Sequence, residues 1–156
     1  MVFRLQPYYK NVGKRLIKSP KLFFYDTGLL TTLLRIGDKE VLKNHYLVGN
    51  IFENLMVTEL VKEINNCGRS QQLYFFRDSH GNEVDLIIDY GDRQVPVEIK
   101  LSASYSSEFS KGLDYWNDTM KSDGAKYVVY GGKDNHKIKG ITILSWMDIG
   151  KVFIGD

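Results

Sequence analysis

The sequence predicts an α/β domain with a mixed, mostly antiparallel sheet flanked by helices. Two observations support this fold class. A long amphipathic stretch is followed by three apolar, alternating runs separated by short turns. A second amphipathic stretch then precedes a further apolar run, so that the core order is helix, three strands, helix, strand. The chain has 156 residues, which is enough for one domain of ordinary size.

Composition places the chain among ordinary globular domains. Hydrophobic residues make up 43% and charged residues 26%, which excludes disordered, collagen-like and disulfide-scaffold proteins. The single cysteine, Cys67, excludes an internal disulfide and a zinc site with two or more thiolates. No apolar run approaches the ~18 residues of a membrane span, and the basic N-terminal segment has no apolar h-region. We therefore expect a cytoplasmic protein without membrane contact.

Residues 1–21 are predicted to be a basic, poorly anchored lead-in or linker, and residues 22–156 the folded domain. Up to Tyr25 the segment has six basic residues and no acid: Arg4, Lys10, Lys14, Arg15, Lys18 and Lys21. This charge is compatible with a solvated arm, or with a surface that contacts phosphate or an acidic partner. In the second case Lys14 and Arg15, which follow two tyrosines, are candidate nucleic-acid contacts.

Two helices are predicted before the sheet. Asp26 is expected to cap a short helix whose leucines face the core. The longer helix runs from Leu47 to Asn66, and at ~100° per residue its apolar residues form one arc. Glu53 falls within that arc. Because a buried charge needs a partner or a metal, Glu53 is expected to be paired or to hold a ligand.

The three strands of the meander are predicted at 73–77, 83–90 and 94–101. In the second strand, alternation places Val84, Leu86 and Ile88 on one face and Asp85 on the other. In the third strand the polar face carries Glu98 and Lys100. A helix containing Phe109, Leu113 and Trp116 follows, with further strands at 125–130 and 141–146.

Three polar residues of this meander form a candidate metal site. Glu98 and Lys100 leave the same face of their strand, and Asp85 lies on the neighbouring antiparallel strand. Two carboxylates with the carbonyl of Ile99 would suit Mg²⁺ or Mn²⁺, which prefer oxygen ligands. Lys100 could then orient a water, stabilise charge at a phosphorus, or assist deprotonation. The alternative is a surface cross-strand ion pair, worth only about 0.2–1 kcal/mol.

The arrangement of Glu53, Glu83-Val84-Asp85 and Glu98-Ile99-Lys100 resembles the PD-(D/E)xK nuclease superfamily. The resemblance implies a restriction-endonuclease-like fold with core order α-β-β-β-α-β. It also implies Asp85 and Glu98 as metal ligands, Lys100 as the catalytic lysine and Glu53 as a catalytic acid on the helix. Val84-Asp85 stands where the superfamily has its Pro-Asp pair.

A closer resemblance is carried by Lys18-Ser19-Pro20-Lys21, by Gly49 to Asn54 and by Phe76-Arg77-Asp78. These motifs are similar to the uncharacterised C-terminal domain of a family of prokaryotic AAA-type ATPases. The resemblance implies that an ATPase module or partner subunit accompanies the domain. The chain itself has no phosphate-binding G-x-x-x-x-G-K-[ST] loop, so we do not expect it to be the ATPase.

Two function classes therefore remain open at this point. One is a Mg²⁺- or Mn²⁺-dependent nuclease that hydrolyses a DNA or RNA phosphodiester. The other is a non-catalytic domain that binds nucleic acid or regulates an ATPase partner with a retained nuclease fold. Arg77 and Asp78 either contact phosphate or close the hairpin. The three histidines lack metal-ligand spacing and are expected in exposed loops.

Overall fold

The computed structural model describes residues 1–9 and 19–153. Its strands and helices follow the chain in this order: β1 (Val2–Pro7), β2 (Lys21–Phe24), α1 (Thr27–Leu33), α2 (Lys39–Asn44), α3 (Val48–Asn66), β3 (Gln72–Arg77), β4 (Glu83–Asp89), β5 (Gln94–Lys100), α4 (Lys111–Met120), β6 (Lys126–Tyr130), β7 (His136–Ile138) and β8 (Ile141–Ser145). Short 3₁₀ segments at Ser107–Ser110 and Trp146–Phe153 precede α4 and follow β8.

The strands form one sheet with the order β2-β1-β3-β4-β5-β6-β8-β7. Within the described part of the chain, four of the seven pairings are antiparallel: β1–β2, β3–β4, β4–β5 and β7–β8. The pairings β1–β3, β5–β6 and β6–β8 are parallel. The predicted mixed α/β architecture is therefore confirmed, and α3, β3, β4, β5, α4 and β6 follow one another as predicted.

Helices cover both faces of the sheet. On one face α3 contributes Met56, Val57 and Leu60 to a core cluster that also contains Leu86 and Val97. On the other face α4 packs its side chains against the second cluster, which includes Leu113, Trp116, Phe76, Val128 and Ile143. The central strands are consequently apolar on both sides, as is typical of sheets covered on both faces. Any polar side chain on β4 or β5 is placed close to this core.

The segment predicted as an unanchored lead-in contains structured strands. Residues Val2–Pro7 form β1, which pairs with β3, and Lys21 begins β2. Leu5 is only 3% exposed and belongs to the α3 cluster. Pro7 ends one strand and Pro20 precedes the next, so neither proline interrupts a strand, in agreement with the positions proline tolerates in sheets. Lys14 and Arg15, the predicted nucleic-acid contacts, lie outside the described residues.

The helices before α3 also differ from the prediction. Asp26 does cap α1 and accepts a hydrogen bond from the Leu29 amide at 2.9 Å. The expected burial of its leucines is wrong, since Leu33 is 62% exposed. Helix α2 was not predicted, and its N-cap is Asp38, which accepts bonds from two backbone amides. In the described residues no helix is long and apolar enough to span a membrane.

Candidate functional site

A β-bulge in β4 determines where Asp85 lies. Tyr74 pairs with Ile87 and Phe76 with Val84, so β4 has one more residue than β3 between these pairs. The alternation of side chains is shifted at this point. Val84 packs with α4, whereas Leu86 packs with α3. The predicted single face of Val84, Leu86 and Ile88 is therefore wrong, because a bulge breaks the two-residue period.

The structure brings Asp85, Glu98 and Lys100 together at the end of the β4–β5 pair. The Lys100 ammonium lies 2.5 Å from Glu98 Oε1 and 3.3 Å from Asp85 Oδ2. Asp85 Oδ2 also accepts a hydrogen bond from the Ile99 amide at 2.9 Å. Both carboxylate residues are 8% exposed. The two carboxylates are thus buried, although the Lys100 side chain is 36% exposed, and the contact differs in this respect from the surface ion pair of the alternative interpretation.

Among the described residues, only one of the two carboxylate oxygens of Glu98 has a partner. Its Oε2 is buried and has no hydrogen-bond partner among the described residues. Burial, together with the charge of Asp85, raises the pKa of Glu98 to about 7. Burial disfavours the charged form of Lys100, but the Asp85 and Glu98 carboxylates outweigh it and raise the pKa of Lys100 above its ordinary value. The ammonium is consequently the stable form of Lys100 in this site.

Gly112 of α4 closes the site from one side. A Cβ at this position would lie 2.4 Å from the Glu83 carbonyl oxygen and 3.3 Å from Glu98 Oε2. The absence of a side chain at Gly112 therefore allows α4 to approach β4 and β5 closely. This approach accounts for the burial of the Glu98 carboxylate.

Glu53, the predicted helix acid, lies in a second group of ion pairs beside the first. Its Oε1 is 2.8 Å from the Lys21 ammonium, which is also 2.6 Å from Glu83 Oε1. Arg77 Nε donates a hydrogen bond to Glu83 Oε2 at 2.8 Å. The side chains of Lys21 and Glu53 are less than one-fifth exposed. Glu53 is thus paired, as its position in the apolar arc requires.

Asp85 couples the two groups electrostatically. Burial and then the charge of Asp85 raise the pKa of Glu53, in the same way as for Glu98. When all are ionised, the four carboxylates (Glu53, Glu83, Asp85 and Glu98) face three cations (Lys21, Arg77 and Lys100), which leaves one negative charge. The site therefore favours an additional cation over an additional anion.

Lys21 is not among the predicted site residues, and Glu83 has no predicted role beyond its place in the Glu83-Val84-Asp85 motif. Lys21 belongs to the predicted lead-in, and its distance from Glu53 along the chain hides their contact. The signals available were the Lys18 to Lys21 motif and the position of Glu83 two residues before Asp85. Arg77 was considered as a phosphate contact, and the structure places it against Glu83 at the edge of the site.

Asp78 closes the β3–β4 hairpin. It is completely buried and accepts hydrogen bonds from the amides of His80 and Asn82 and from the Tyr115 hydroxyl. Of the two interpretations of Asp78, hairpin closure is the one that these contacts support. His80 itself is 74% exposed at the side chain.

A cavity of about 470 Å³ opens onto the second group of ion pairs. One wall carries the charged side chains of Lys21, Glu53, Arg77, Glu83 and Asp85. The other wall is apolar and is contributed by β2, α1 and the residue before α3, including Phe24, Leu30, Leu34 and Leu47. Residues 1–9 and 19–153 contain no group of three or more His, Cys, Asp or Glu side chains arranged to hold a metal.

Comparison with known protein families identifies the family to which the chain belongs. Residues 48–149 match a family described as a domain of unknown function, DUF4143. The chain belongs to the DUF4143 family. Domains of this family are typically found in proteins associated with AAA-type ATPases. Within this DUF4143 chain, residues 1–40 match a second family, also described as a domain of unknown function, DUF8612. Lys21 therefore comes from the second matched region, whereas Glu53, Asp85, Glu98 and Lys100 come from the first.

Two mycobacterial proteins are similar to this DUF4143 chain. The uncharacterized proteins Mb2031c of Mycobacterium bovis and Rv2008c of Mycobacterium tuberculosis are each 32% identical to it over 106 residues. The match covers 68% of the chain but only 23% of either relative. No solved structure matches the chain.

Proposed function

We propose that this DUF4143 domain is a metal-dependent phosphodiesterase that acts on DNA or RNA. One observation carries the proposal: Lys100 contacts both Asp85 and Glu98 in a buried corner between two strands. An acid, a second acid and a lysine so placed correspond to the residues of the PD-(D/E)xK resemblance. Fold by itself does not imply activity, so the argument depends on this local chemistry.

The element order supports a restriction-endonuclease-like fold for the domain. Helix α3 precedes the antiparallel strands β3, β4 and β5, and β6 then pairs in parallel with β5 after α4. This is the core order α-β-β-β-α-β that the resemblance implies. The strands outside this core, β1 and β2 on one side and β7 and β8 on the other, extend the same sheet.

The donor atoms fit Mg²⁺ or Mn²⁺. Asp85 and Glu98 offer carboxylate oxygens, and the buried Glu98 Oε2 has no hydrogen-bond partner among the described residues. With the Ile99 carbonyl these are the oxygen ligands that such ions prefer, while water completes their coordination. A bound divalent cation would supply Lewis-acid neutralisation of the phosphodiester charge. When Glu53 and Glu98 are ionised, the excess negative charge of the site favours binding of such a cation.

Lys100 would act on the phosphate as a cation. Burial lowers the pKa of Lys100, but the two carboxylates outweigh burial and raise this pKa above its ordinary value. The side chain therefore keeps its proton at neutral pH. An ammonium held in place by two buried carboxylates can donate hydrogen bonds to the oxygens on which negative charge develops. Of the roles considered for Lys100, charge stabilisation is the one that its surroundings support.

A second candidate is a non-catalytic domain that binds nucleic acid or regulates an ATPase. The observation in its favour is that the Lys100 ammonium already contacts both Asp85 and Glu98, the carboxylates that a metal ion would use. In both cases we propose an AAA-type ATPase module or subunit as the partner, since this family is typically associated with such proteins.

Cleavage of end-labelled DNA and RNA, single- and double-stranded, with Mg²⁺ or Mn²⁺ tests the proposal. The native chain is expected to cut at least one substrate, and Lys100→Ala and Asp85→Asn to lose this activity. Lys62→Ala is a matched control, because Lys62 forms an exposed ion pair with Glu59 on α3 outside the site. Absence of cleavage by folded native protein would reject catalysis, and salt-dependent binding that survives Asp85→Asn would favour the binding domain.

A further inference from the structure

The side chain of Lys21 makes its ionic contacts outside the strand pair to which the residue belongs. Lys21 is the first residue of β2, the edge strand of the sheet. Its ammonium nevertheless lies between the carboxylates of Glu53 on α3 and Glu83 on β4, at 2.8 and 2.6 Å. The ammonium also stands 5.3 Å from the centre of the Phe75 ring, on which a cation is favourably placed.

The surroundings of Lys21 are those of a bound cation. Burial disfavours the charged form of Lys21. The carboxylates of Glu53, Glu83 and Asp85 outweigh this effect and raise the pKa of Lys21. Without the ammonium, Glu53 would face Asp85 and Glu83 with no counterion of its own, since Arg77 lies on the other oxygen of Glu83. Removing one partner from such a group leaves uncompensated buried charge.

The two carboxylate oxygens that hold the Lys21 ammonium are also of the kind that a divalent metal ion prefers. A Mg²⁺ ion holds carboxylate oxygens at about 2.0–2.1 Å, whereas Lys21 Nζ lies 2.8 and 2.6 Å from the oxygens of Glu53 and Glu83. A contraction of less than 1 Å at each oxygen would suffice for a divalent cation to replace the ammonium. In the native chain the Lys21 ammonium occupies the place between these two oxygens that such an ion would take.

We propose that the Lys21 ammonium is a built-in cation that takes the place of a metal ion between Glu53 and Glu83. The native site then binds a single divalent cation, at Asp85 and Glu98, and this second part of the inference rests on the proposed function. The first part does not. It also means that the N-terminal hairpin, which lies in the other matched region, contributes a residue to the site.

The number of Mn²⁺ ions bound, measured by titration calorimetry on the full chain, tests the inference. Lys21→Ala removes the ammonium and its stem, and is expected to bind one Mn²⁺ ion more than the native chain. Lys21→Arg keeps a cation in place and is the matched control, with no additional ion expected. The double variant Lys21→Ala with Glu53→Gln loses a ligand of the new site and is expected to return to the native number.

The outcomes separate the two proposals. If the native chain binds no Mn²⁺ and Lys21→Ala binds one, the inference about Lys21 stands and the metal site at Asp85 and Glu98 fails. If the native chain binds one ion and folded Lys21→Ala also binds one, the inference about Lys21 is overturned. An additional ion that persists in the double variant with Glu53→Gln would overturn it as well, because the ion would then lie elsewhere.

A melting curve covers the case in which Lys21→Ala is unstable. The variant is expected to melt at a lower temperature than the native chain in EDTA, and to regain most of the difference when refolded with Mn²⁺. Lys21→Met, which fills the space without charge, is expected to be destabilised without recovery. Failure of Mn²⁺ to stabilise Lys21→Ala more than Lys21→Met would overturn the inference.

Discussion

The carboxylate of Asp85 accepts a hydrogen bond from the backbone N–H of Ile99 at 2.9 Å, across from β4 to β5. The register between these strands runs from Asp89 opposite Gln94 to Leu86 opposite Val97. Beyond the pair of Leu86 and Val97, the Asp85 carboxylate accepts the hydrogen bond of the Ile99 amide. Asp85 thus supports the end of the strand pair as well as the charge of the site.

The double role of Asp85 predicts different effects for two substitutions. Asp85→Asn keeps an oxygen for the Ile99 amide and relieves repulsion with Glu53 and Glu98, so its unfolding free energy is expected close to the native value. Asp85→Ala leaves the amide unpaired in a buried place, which costs about 1–3 kcal/mol. Urea denaturation of both variants checks the difference. Equal stabilities would show that the Ile99 hydrogen bond contributes nothing.

The pKa of Glu98 predicts how stability depends on pH in the absence of divalent cations. Burial and Asp85 raise this pKa from 4.5 to about 7 in the folded chain. Between these values the folded chain holds a proton that the unfolded chain has released. The stabilisation is therefore complete below pH 4.5 and is lost as the pH rises through about 7, with a total on the order of 3 kcal/mol at ~1.4 kcal/mol per pH unit.

Glu98→Gln isolates this contribution. Glutamine cannot ionise, so the variant is expected to match the native chain near pH 4.5 and to be the more stable of the two above neutrality. Thermal melts in EDTA across this range, compared between the two proteins, give the measurement. A constant difference at every pH would place the Glu98 pKa near its ordinary value and contradict the prediction.

The close approach at Gly112 predicts that a single methyl group disturbs the site. The added Cβ would meet the Glu83 carbonyl oxygen at 2.4 Å, and relief of such overpacking typically costs about 1–3 kcal/mol. We expect Gly112→Ala to lower the unfolding free energy by this amount and to weaken Mn²⁺ binding. Chemical denaturation and calorimetry on the same preparation measure both effects.

Gly49→Ala is the matched control for this prediction. Gly49 lies in the first turn of α3, and a Cβ there would meet no atom within 4 Å. Alanine in place of glycine in a helix is expected to stabilise by about 0.5–1 kcal/mol. A Gly112→Ala variant as stable as Gly49→Ala would mean that α4 does not approach β4 as closely as the structure indicates.

Much of the core could be predicted because local pattern decided it. The long helix is found at Val48–Asn66, within one residue of the prediction, since its apolar arc is a local signal. The alternation of β5 placed Glu98 and Lys100 correctly relative to one another. The bulge in β4 could not be predicted from the alternation of its residues, because it depends on how β4 pairs with β3.

The N-terminal segment shows the opposite case. Its short apolar runs and prolines carry no sustained period, so local pattern does not indicate a strand. Val2–Pro7 is a strand because its first four residues pair with β2, its last two pair with β3, and the α3 cluster accepts Leu5. Pairing of this kind is a non-local property of the fold, and β-propensity depends strongly on such context.

The sequence by itself determined the α/β class and the order of the core elements, because both depend on patterns along single elements, and the resemblance singled out Glu53, Asp85, Glu98 and Lys100. Tertiary structure alone decided that Lys21 lies between Glu53 and Glu83, and that Glu98 is buried beneath Gly112. The physical reason is that charge pairing and desolvation depend on distance in space. Residues 32 positions apart, such as Lys21 and Glu53, become partners only when the sheet and α3 have packed together.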